Sequence, residues 1–537
     1  MYRAENRAQP FEIEQHIPEL LALFDAVRAE TEFSPRRLNY LAIKHLHSPE
    51  GSVPQGYIIK AYKELTGRGV IPFDRELFER LRLKPTRTVS GVAPVAVLTG
   101  PYPCPADCIF CPEVKGVPRS YLPDEPAVQR ALRAHFDPYK ETLTRIEALD
   151  RMGHSTDKVE LLVIGATWSA YPHKYQEWFI RRCLDAMNGE PSATLSEAQK
   201  RNETAAHRNV GLVIETRPDS ITLDEARRLR WLGVTKVQLG VQSLDDAILA
   251  LNNRGHGVEA VRQAVRILRL AGFKLHMHWM PNLLGATPES DRLDFRRLFD
   301  DPAVRPDELK IYPCALLEGT ELYRRWQQGE FRPYTDAELV ELLIDCKTAV
   351  PTYCRINRVI RDIPAPNIVA GSTTSDLRQV IQRTMKARGL QCNCIRCREV
   401  RGSKLDGENL RLDVLTYAAG VTTEHFISCV TREGKLAAFL RLSLPAADVA
   451  PGLVLDEVRG CAMIREVHVY GTALEIGALS LGEAQHSGLG RRLADKAMEL
   501  ARGAGFTRIA VIAAIGTREY YRKMGFELGE LYMSRPL

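Results

Sequence analysis

No apolar run in the chain approaches the roughly 20 residues that a membrane-spanning helix needs, so no such helix is expected. The first residues, Met1-Tyr2-Arg3-Ala4-Glu5-Asn6, lack the apolar core of a secretion signal. The 12 cysteines are too few and too clustered for a disulfide framework across 537 residues. Six of them sit in two tight groups, which in a reducing cytosol points to metal. No strong excess of one charge is present either: the formal net charge is +6, and its distribution is more informative than its sum. What remains is a cytoplasmic protein of ordinary globular composition, 45% hydrophobic and 26% charged. Its length exceeds one hydrophobic core, so two or three domains are expected.

The first cysteine group is Cys104-Pro105-Ala106-Asp107-Cys108-Ile109-Phe110-Cys111. Three thiolates at C-x3-C-x2-C spacing can hold three irons of a 4Fe–4S cluster and leave the fourth open. An open iron can chelate S-adenosylmethionine and pass it one electron. A four-cysteine electron-transfer cluster would want a nearby fourth thiol, and the next is Cys183. A zinc knuckle is the competing reading of the spacing.

From residue 92 a regular beat begins. Short apolar runs at 92–99, 159–165, 211–216, 236–241, 274–280 and 308–313 read as buried parallel strands, with amphipathic stretches between several of them. Such units predict an α/β fold, a partial (β/α) barrel whose chemistry sits at the C-terminal ends of the strands. Gly165, Thr167, Glu215, Arg217 and Gln242 fall at those ends. His276 and His278 alternate along one strand and share its face, where interior packing is the commoner role.

Cations are concentrated in two places. Arg36, Arg37, Lys44, Lys60, Lys63 and Arg68, interleaved with Tyr40, Tyr57 and Tyr62, suit a nucleic-acid backbone with stacked bases; a solvated helical face is the plainer alternative. Residues 355–401 carry ten Arg/Lys against three acids, an excess that marks a polyanion site. Within it lies Cys392-Asn393-Cys394-Ile395-Arg396-Cys397, suited to structural tetrahedral zinc with a fourth ligand from elsewhere, for which Cys314 is the candidate.

The tail changes style from about residue 410. Strand-like 437–444 and 464–471 precede Gln485-His486-Ser487-Gly488-Leu489-Gly490-Arg491 at the start of a helical pattern. The glycines let backbone N–H groups approach a pyrophosphate, and the helix N-terminus favours the anion. Strand 508–514 and then Tyr520-Tyr521 and Gly525-Phe526 follow. The run Q-H-x-G-x-G with Y-Y-x-x-x-G-F resembles the GNAT acetyl-CoA-binding fold, and C-x3-C-x2-C after a strand resembles the radical-SAM signature.

Joined on one chain, with VIETRPD, QLGVQS, HWMPNLLG, LKIYPC, RVIRDIP and REVHVYG in order, these motifs resemble the family of the Elongator catalytic subunit, including its stand-alone archaeal and bacterial forms. The resemblance covers nearly the whole chain. It implies a cytoplasmic tRNA-modifying acyltransferase that builds a carboxymethyl group on carbon 5 of the wobble uridine. A deoxyadenosyl radical from S-adenosylmethionine would activate the methyl carbon of acetyl-CoA for addition to the C5–C6 double bond.

Its implied roles run as follows. Cys104, Cys108 and Cys111 hold the cluster, and Gly165, Thr167, Glu215, Arg217 and Gln242 contact S-adenosylmethionine. Gln485, His486, Ser487, Gly488, Leu489, Gly490 and Arg491 hold CoA, and Tyr520 and Tyr521 lie near the thioester. Arg36, Lys44, Lys60, Arg361, Lys386, Arg388 and Arg396 are expected at tRNA phosphates around the anticodon stem-loop. Zinc cannot be carried over, because eukaryotic members lack most cysteines of the second group and space the first more widely. The expected domains are a basic helical region (1–90), the radical-SAM partial barrel (91–345), a basic linker with the second cysteine group (346–410) and the GNAT-type domain (411–537). An electron donor is required, and a second copy of the chain in a homodimer or accessory subunits are the candidate protein partners. The rival reading is a protein-lysine acetyltransferase with a structural iron–sulfur cluster; the basic patch disfavours lysine-rich substrates by repulsion.

Overall fold

A computed structural model describes residues 12–46, 53–83, 88, 91–374, 376–400, 410–470 and 488–537. The N-terminal region is helical, with helices at Ile17–Ala29, Pro35–His45, Gln55–Gly67 and Arg75–Leu81. Local chemistry sets two of the starts. Ser34 accepts from the Arg37 N–H ahead of a first-turn proline, and Asp74 accepts from the Leu77 N–H. Leu20, Phe24, Leu41, Ile58 and Tyr62 form a core of their own. That leaves Arg36, Tyr40, Ile43 and Lys44, spaced by three and four residues along one helix face, exposed to solvent.

The first sheet runs β1 (Ala93–Leu98), β2 (Lys158–Ile164), β3 (Arg208–Thr216), β4 (Lys236–Gln242), β5 (Lys274–Trp279), β6 (Glu308–Ile311) and β7 (Arg355–Arg358). Neighbours in space are neighbours in sequence, and every pairing is parallel. The six expected strands are there. The seventh, Arg-Ile-Asn-Arg, has one apolar residue in four and lies in the basic stretch, so hydrophobic pattern alone does not find it.

Alternation explains the interior. Lys236 and Gln238, Lys274, His276 and His278, and Glu308 and Lys310 lie two residues apart on their strands and share a face. These polar side chains fill the middle of the sheet's concave side, while Val237, Leu239, Leu275, Met277 and Leu309 pack outward against helices.

The second sheet contains β8 (Arg411–Ala419), β9 (Thr422–Val430), β10 (Leu436–Pro445), β11 (Ala462–Val469), β12 (Arg508–Val511), β13 (Glu527–Leu528) and β14 (Met533–Pro536), in the order β8-β9-β10-β11-β12-β14-β13. Only β11 and β12 pair in parallel, from Ala462↔Ile509 to Ile464↔Val511. Beyond that point β11 continues to Val469 without its neighbour, and the two strands part. The hairpin β8–β9 was not among the expected strands; β8 is a sheet edge whose side chains are largely exposed, so it carries no buried apolar alternation.

An ion cluster joins the two sheets. Arg465 of β11 meets Asp307, just before β6, at 2.7 and 2.8 Å, and Glu424 of β9 at 2.7 Å. Arg441 of β10 reaches Glu466 at 2.8 Å and Asp307 at 3.3 Å. All these side chains are buried.

Candidate active site

The loop bearing Cys104, Cys108 and Cys111 leaves the C-terminal end of β1, as expected. Cys108 is buried, and Arg254 donates to its sulfur at 3.4 Å. A buried guanidinium beside a thiol favours the thiolate. Contact with Cys111, and then Arg254 and Arg217, hold Cys108 below the usual thiol range against burial. Cys104 touches Thr167 at 3.6 Å. This donor set of ionisable sulfurs fits a cluster.

The rim residues gather around it. Gly165 has φ 142°, and a Cβ there would collide with the Thr99 hydroxyl, so only glycine is accommodated. Gln242 also sits at positive φ, 74°, and its Oε1 is buried with no hydrogen-bond partner among the described residues. Arg217 is held by Asp219 and donates to the Arg254 carbonyl at 2.8 Å. Its Nη1 is buried and likewise without such a partner. An orphaned acceptor and an orphaned donor at one strand-end rim are what an amino-acid-bearing cofactor such as S-adenosylmethionine would satisfy.

From this mouth a file of polar groups runs down the barrel. Glu215 pairs with Lys310 at 3.0 Å, which also donates to Gln238. Gln238 meets His278 at 3.0 Å. His276 lies 3.3 Å from Glu308, which pairs with Lys236 and Lys274, each at 3.2 Å. Lys274 reaches Glu466 of β11 at 2.5 Å. Burial pushes His278 down to about 3 and His276 well below its usual value, so both imidazoles are neutral at pH 7. Burial raises Glu215, but Lys310, by charge and by hydrogen bond, outweighs it and keeps the carboxyl ionised.

At the opposite mouth the first residues of the strands open on a cavity of about 350 Å³, lined by Lys236, Lys274, Glu308 and Arg355 from the barrel and by Glu466, His468, Tyr470, Ile512 and Tyr521 from the second sheet. It lies where β11 and β12 part. The helix Leu489–Gly503 begins beside it, with Gly488 at φ 75° as its N-cap and Leu489 and Gly490 buried. Gln485, His486 and Ser487 lie outside the described residues. Arg491 is exposed at the helix start. A Cβ on Gly490 would fill the place of the Tyr520 hydroxyl. The two tyrosines therefore divide: Tyr520, 42% exposed, covers the glycine turn, and Tyr521 is buried and faces the cavity. A glycine cradle at a helix N-terminus beside an acyl-sized cavity fits acetyl-CoA.

Among the described residues, Cys392, Cys394 and Cys397 form the one group of three metal-ligating side chains whose ligand atoms lie within 4.8 Å of one another. Cys314 is not part of it, which corrects the expected fourth ligand. It follows β6 at the cluster-side mouth and packs with Ile109, Leu283 and Leu316, whereas the triad lies at the start of β7, where Ile395 donates to the Cys354 carbonyl. Lys347, fully buried, approaches the Cys397 sulfur at 3.9 Å, where its ammonium would offset the charge of metal-bound thiolates. Three ionisable sulfurs with a counter-charge fit a metal such as zinc.

The expected phosphate contacts separate. Arg36, Lys44, Lys60 and Lys386 are exposed, and Arg388, also exposed, is engaged by Glu341 at 2.6 and 2.7 Å. Arg361 is not a surface contact. It bonds Ser120 at 2.8 Å and Glu125 at 3.0 Å and lies over the Tyr121 ring, fastening the loop after the cluster. Arg396 is also removed from that set: it is half-buried, donates to the Asn357 carbonyl and lines the interdomain cavity. A run of cations in sequence does not say which of them are already neutralised.

Comparison with known proteins agrees with this geometry. Residues 102–296 match the Radical SAM superfamily, 306–387 the Radical_SAM C-terminal domain and 408–526 the Acetyltransferase (GNAT) family. The chain is 44% identical over 461 residues to a tRNA uridine(34) acetyltransferase of Dehalococcoides mccartyi, covering 84% of this chain and 99% of the relative. It is 35% identical over 488 residues to human Elongator complex protein 3, covering 87% and 88% of the two chains. The solved Methanocaldococcus infernus Elp3 with an N-terminal deletion superposes with a TM-score of 0.72 at 39% identity, over 83% of this chain and 99% of that one. The chain belongs to the Elongator complex protein 3 family. Like the Elp3 relatives it resembles, it is a radical-SAM barrel joined to an acetyltransferase domain, and it is an acyltransferase. Arg254, Lys310 and Glu466 were missed from the Elp3-type sequence. Only the polar Asn252-Asn253-Arg254-Gly255-His256-Gly257 turn after the helix Asp246–Leu251 could have flagged the first.

Proposed function

We propose that the protein converts the wobble uridine of tRNA to a C5-carboxymethyl derivative, using acetyl-CoA as the carbon source. The observation that supports this best is the interdomain cavity, to which the barrel and the acetyl-CoA fold contribute side chains on equal terms. A plain lysine acetyltransferase has no use for such a barrel mouth. When bound, the 4Fe–4S cluster and S-adenosylmethionine supply the one-electron chemistry that makes an acetyl methyl carbon reactive toward uracil.

The chain's own residues do the rest. Cys104, Cys108 and Cys111 hold the cluster, with Arg254 balancing its charge. Gln242 and Arg217 orient S-adenosylmethionine through their unpaired atoms, beside Gly165, Thr167 and Glu215. Gly488, Leu489, Gly490 and Arg491 take the CoA pyrophosphate together with Gln485, His486 and Ser487. Tyr521 offers a phenol to the thioester from inside the cavity, while Tyr520 closes the glycine turn. Arg36, Lys44, Lys60 and Lys386 attract the tRNA backbone, whereas Arg388 is already paired with Glu341, and Tyr40 stands ready to stack. Cys392, Cys394 and Cys397 hold a structural zinc. Nucleoside mass spectrometry of bulk tRNA, incubated anaerobically with reconstituted, reduced protein, S-adenosylmethionine and acetyl-CoA, tests the reading. A C5-carboxymethyluridine product is expected, and its absence from every tRNA would refute it.

A further inference from the structure

The helix that carries Tyr520 and Tyr521 belongs to the acetyl-CoA domain by sequence, but the barrel domain holds it. It spans only Arg518–Arg522, too short to fix its own orientation. Both of its end arginines reach one carboxylate across the domain boundary: Arg518 Nη1 lies 2.9 Å from Glu203 Oε1, and Arg522 Nη1 lies 2.7 Å from Glu203 Oε2. Glu203 follows the helix Leu195–Asn202 of the barrel domain, and its side chain is 11% exposed. Burial raises its pKa, but the two guanidiniums outweigh that and keep it charged.

The turn leading into the tyrosine helix is seated on the barrel as well. A Cβ on Gly516 would come within 3.0 Å of the Asn209 carbonyl at the start of β3, and one on Gly233 within 3.0 Å of Ile515. Backbone contact and a double ion pair thus fix both ends of one short segment. The Tyr520 hydroxyl at the Gly490 turn and the Tyr521 ring in the cavity depend on that seat.

We propose that Glu203 is a positioning residue for the thioester step, through which the barrel domain sets the tyrosine pair of the acetyl-CoA domain. The proposal rests on the reading of Tyr520 and Tyr521 given above. The pyrophosphate is gripped by a different helix, so losing the clamp should impair turnover more than binding. The test uses the full-length reconstituted protein with Glu203→Gln, which keeps the shape and removes the charge, and Glu203→Asp, which keeps the charge on a shorter stem.

In Glu203→Gln we expect kcat for tRNA-dependent CoA release to fall about tenfold or more, the kind of loss a small misplacement of a reacting group produces. KM for acetyl-CoA should stay within about threefold, and cleavage of S-adenosylmethionine without acetyl-CoA should be unchanged. Glu203→Asp should recover part of kcat. Amide hydrogen exchange across residues 515–522 should quicken in Glu203→Gln whatever the reaction proves to be. Wild-type kcat, or equal losses of CoA release and S-adenosylmethionine cleavage, would overturn the proposal. So would unchanged exchange in that segment. If the wild-type protein forms no modified uridine and releases no CoA, the functional reading fails and the exchange measurement alone decides the clamp.

Discussion

At the scale of single residues, the informative side chains are those whose charge has no solvent to share it. Arg254 is buried, with one nitrogen on the Cys108 sulfur and another on the Gly240 carbonyl. A fixed positive charge beside a cluster thiolate stabilises the more reduced, more negative state and raises the cluster potential. Arg254→Leu should therefore lower that potential by tens of millivolts, read by spectroscopically monitored redox titration of reconstituted protein; an unchanged midpoint would remove Arg254 from this role. Glu141, in the helix Pro138–Arg151 packed on β1, accepts from the Leu98 N–H at 3.1 Å, yet burial raises its pKa to about 7. A carboxyl raised in the fold contributes stability below its unfolded value, and that stability is lost as pH rises through about 7, by on the order of 3 kcal/mol. The melting-temperature difference between pH 5 and pH 8 should accordingly shrink in Glu141→Gln. Neither residue stands out in the sequence, because isolated buried charges leave no pattern. The cluster cysteines do, since their spacing is itself the geometry.

At the scale of elements, legibility follows how much of an element's burial is apolar. Strands β1–β6 are found within a few residues because their outward faces are runs of Val, Leu and Ile, whereas β7 and β8 are missed because one is polar and the other exposed. The glycine turn was also readable, because a positive φ at Gly488 and a close approach at Gly490 demand residues without side chains. What the motif could not show is that the atom approaching Gly490 is a tyrosine hydroxyl from the last helix. That atom ends a half-exposed side chain and can move. Gly490→Ala should thus displace Tyr520 rather than unfold the domain, leaving the melting temperature within about 2 °C while acetyl-CoA binding weakens roughly tenfold. Calorimetric titration with a non-hydrolysable acetyl-CoA analogue separates the two effects. A large loss of stability would mean that the turn, not the tyrosine, yields.

For the whole molecule, the question is why two catalytic folds share one chain. The cysteine loop lies at one barrel mouth and the interdomain cavity at the other, so the reading proposed above requires their relative placement to be rigid. Asp307 carries much of that demand, receiving Arg465 in a two-point pair and Arg441 beside it, all three side chains at most 1% exposed. Sequence reasoning found both domains but not this joint, since Asp307 lies more than a hundred residues from either arginine, and a lone arginine inside an apolar strand does not reveal its partner. Asp307→Asn would leave two buried guanidiniums with one fewer anion, a loss worth about 3–5 kcal/mol when a buried pair is broken. Burial raises Asp307, but Arg465 and Arg441 outweigh it and hold its folded pKa well below the unfolded value. Its contribution is therefore full above about pH 4 and lost as pH falls further. At pH 7 the variant should melt several degrees earlier, with the two domains unfolding in separate transitions. Acidification below pH 4 should then destabilise the variant less than the wild type. Scanning calorimetry at both pH values checks this. A single, unshifted transition in Asp307→Asn would show that the apolar contacts between the sheets, rather than the ion cluster, hold the two folds in register.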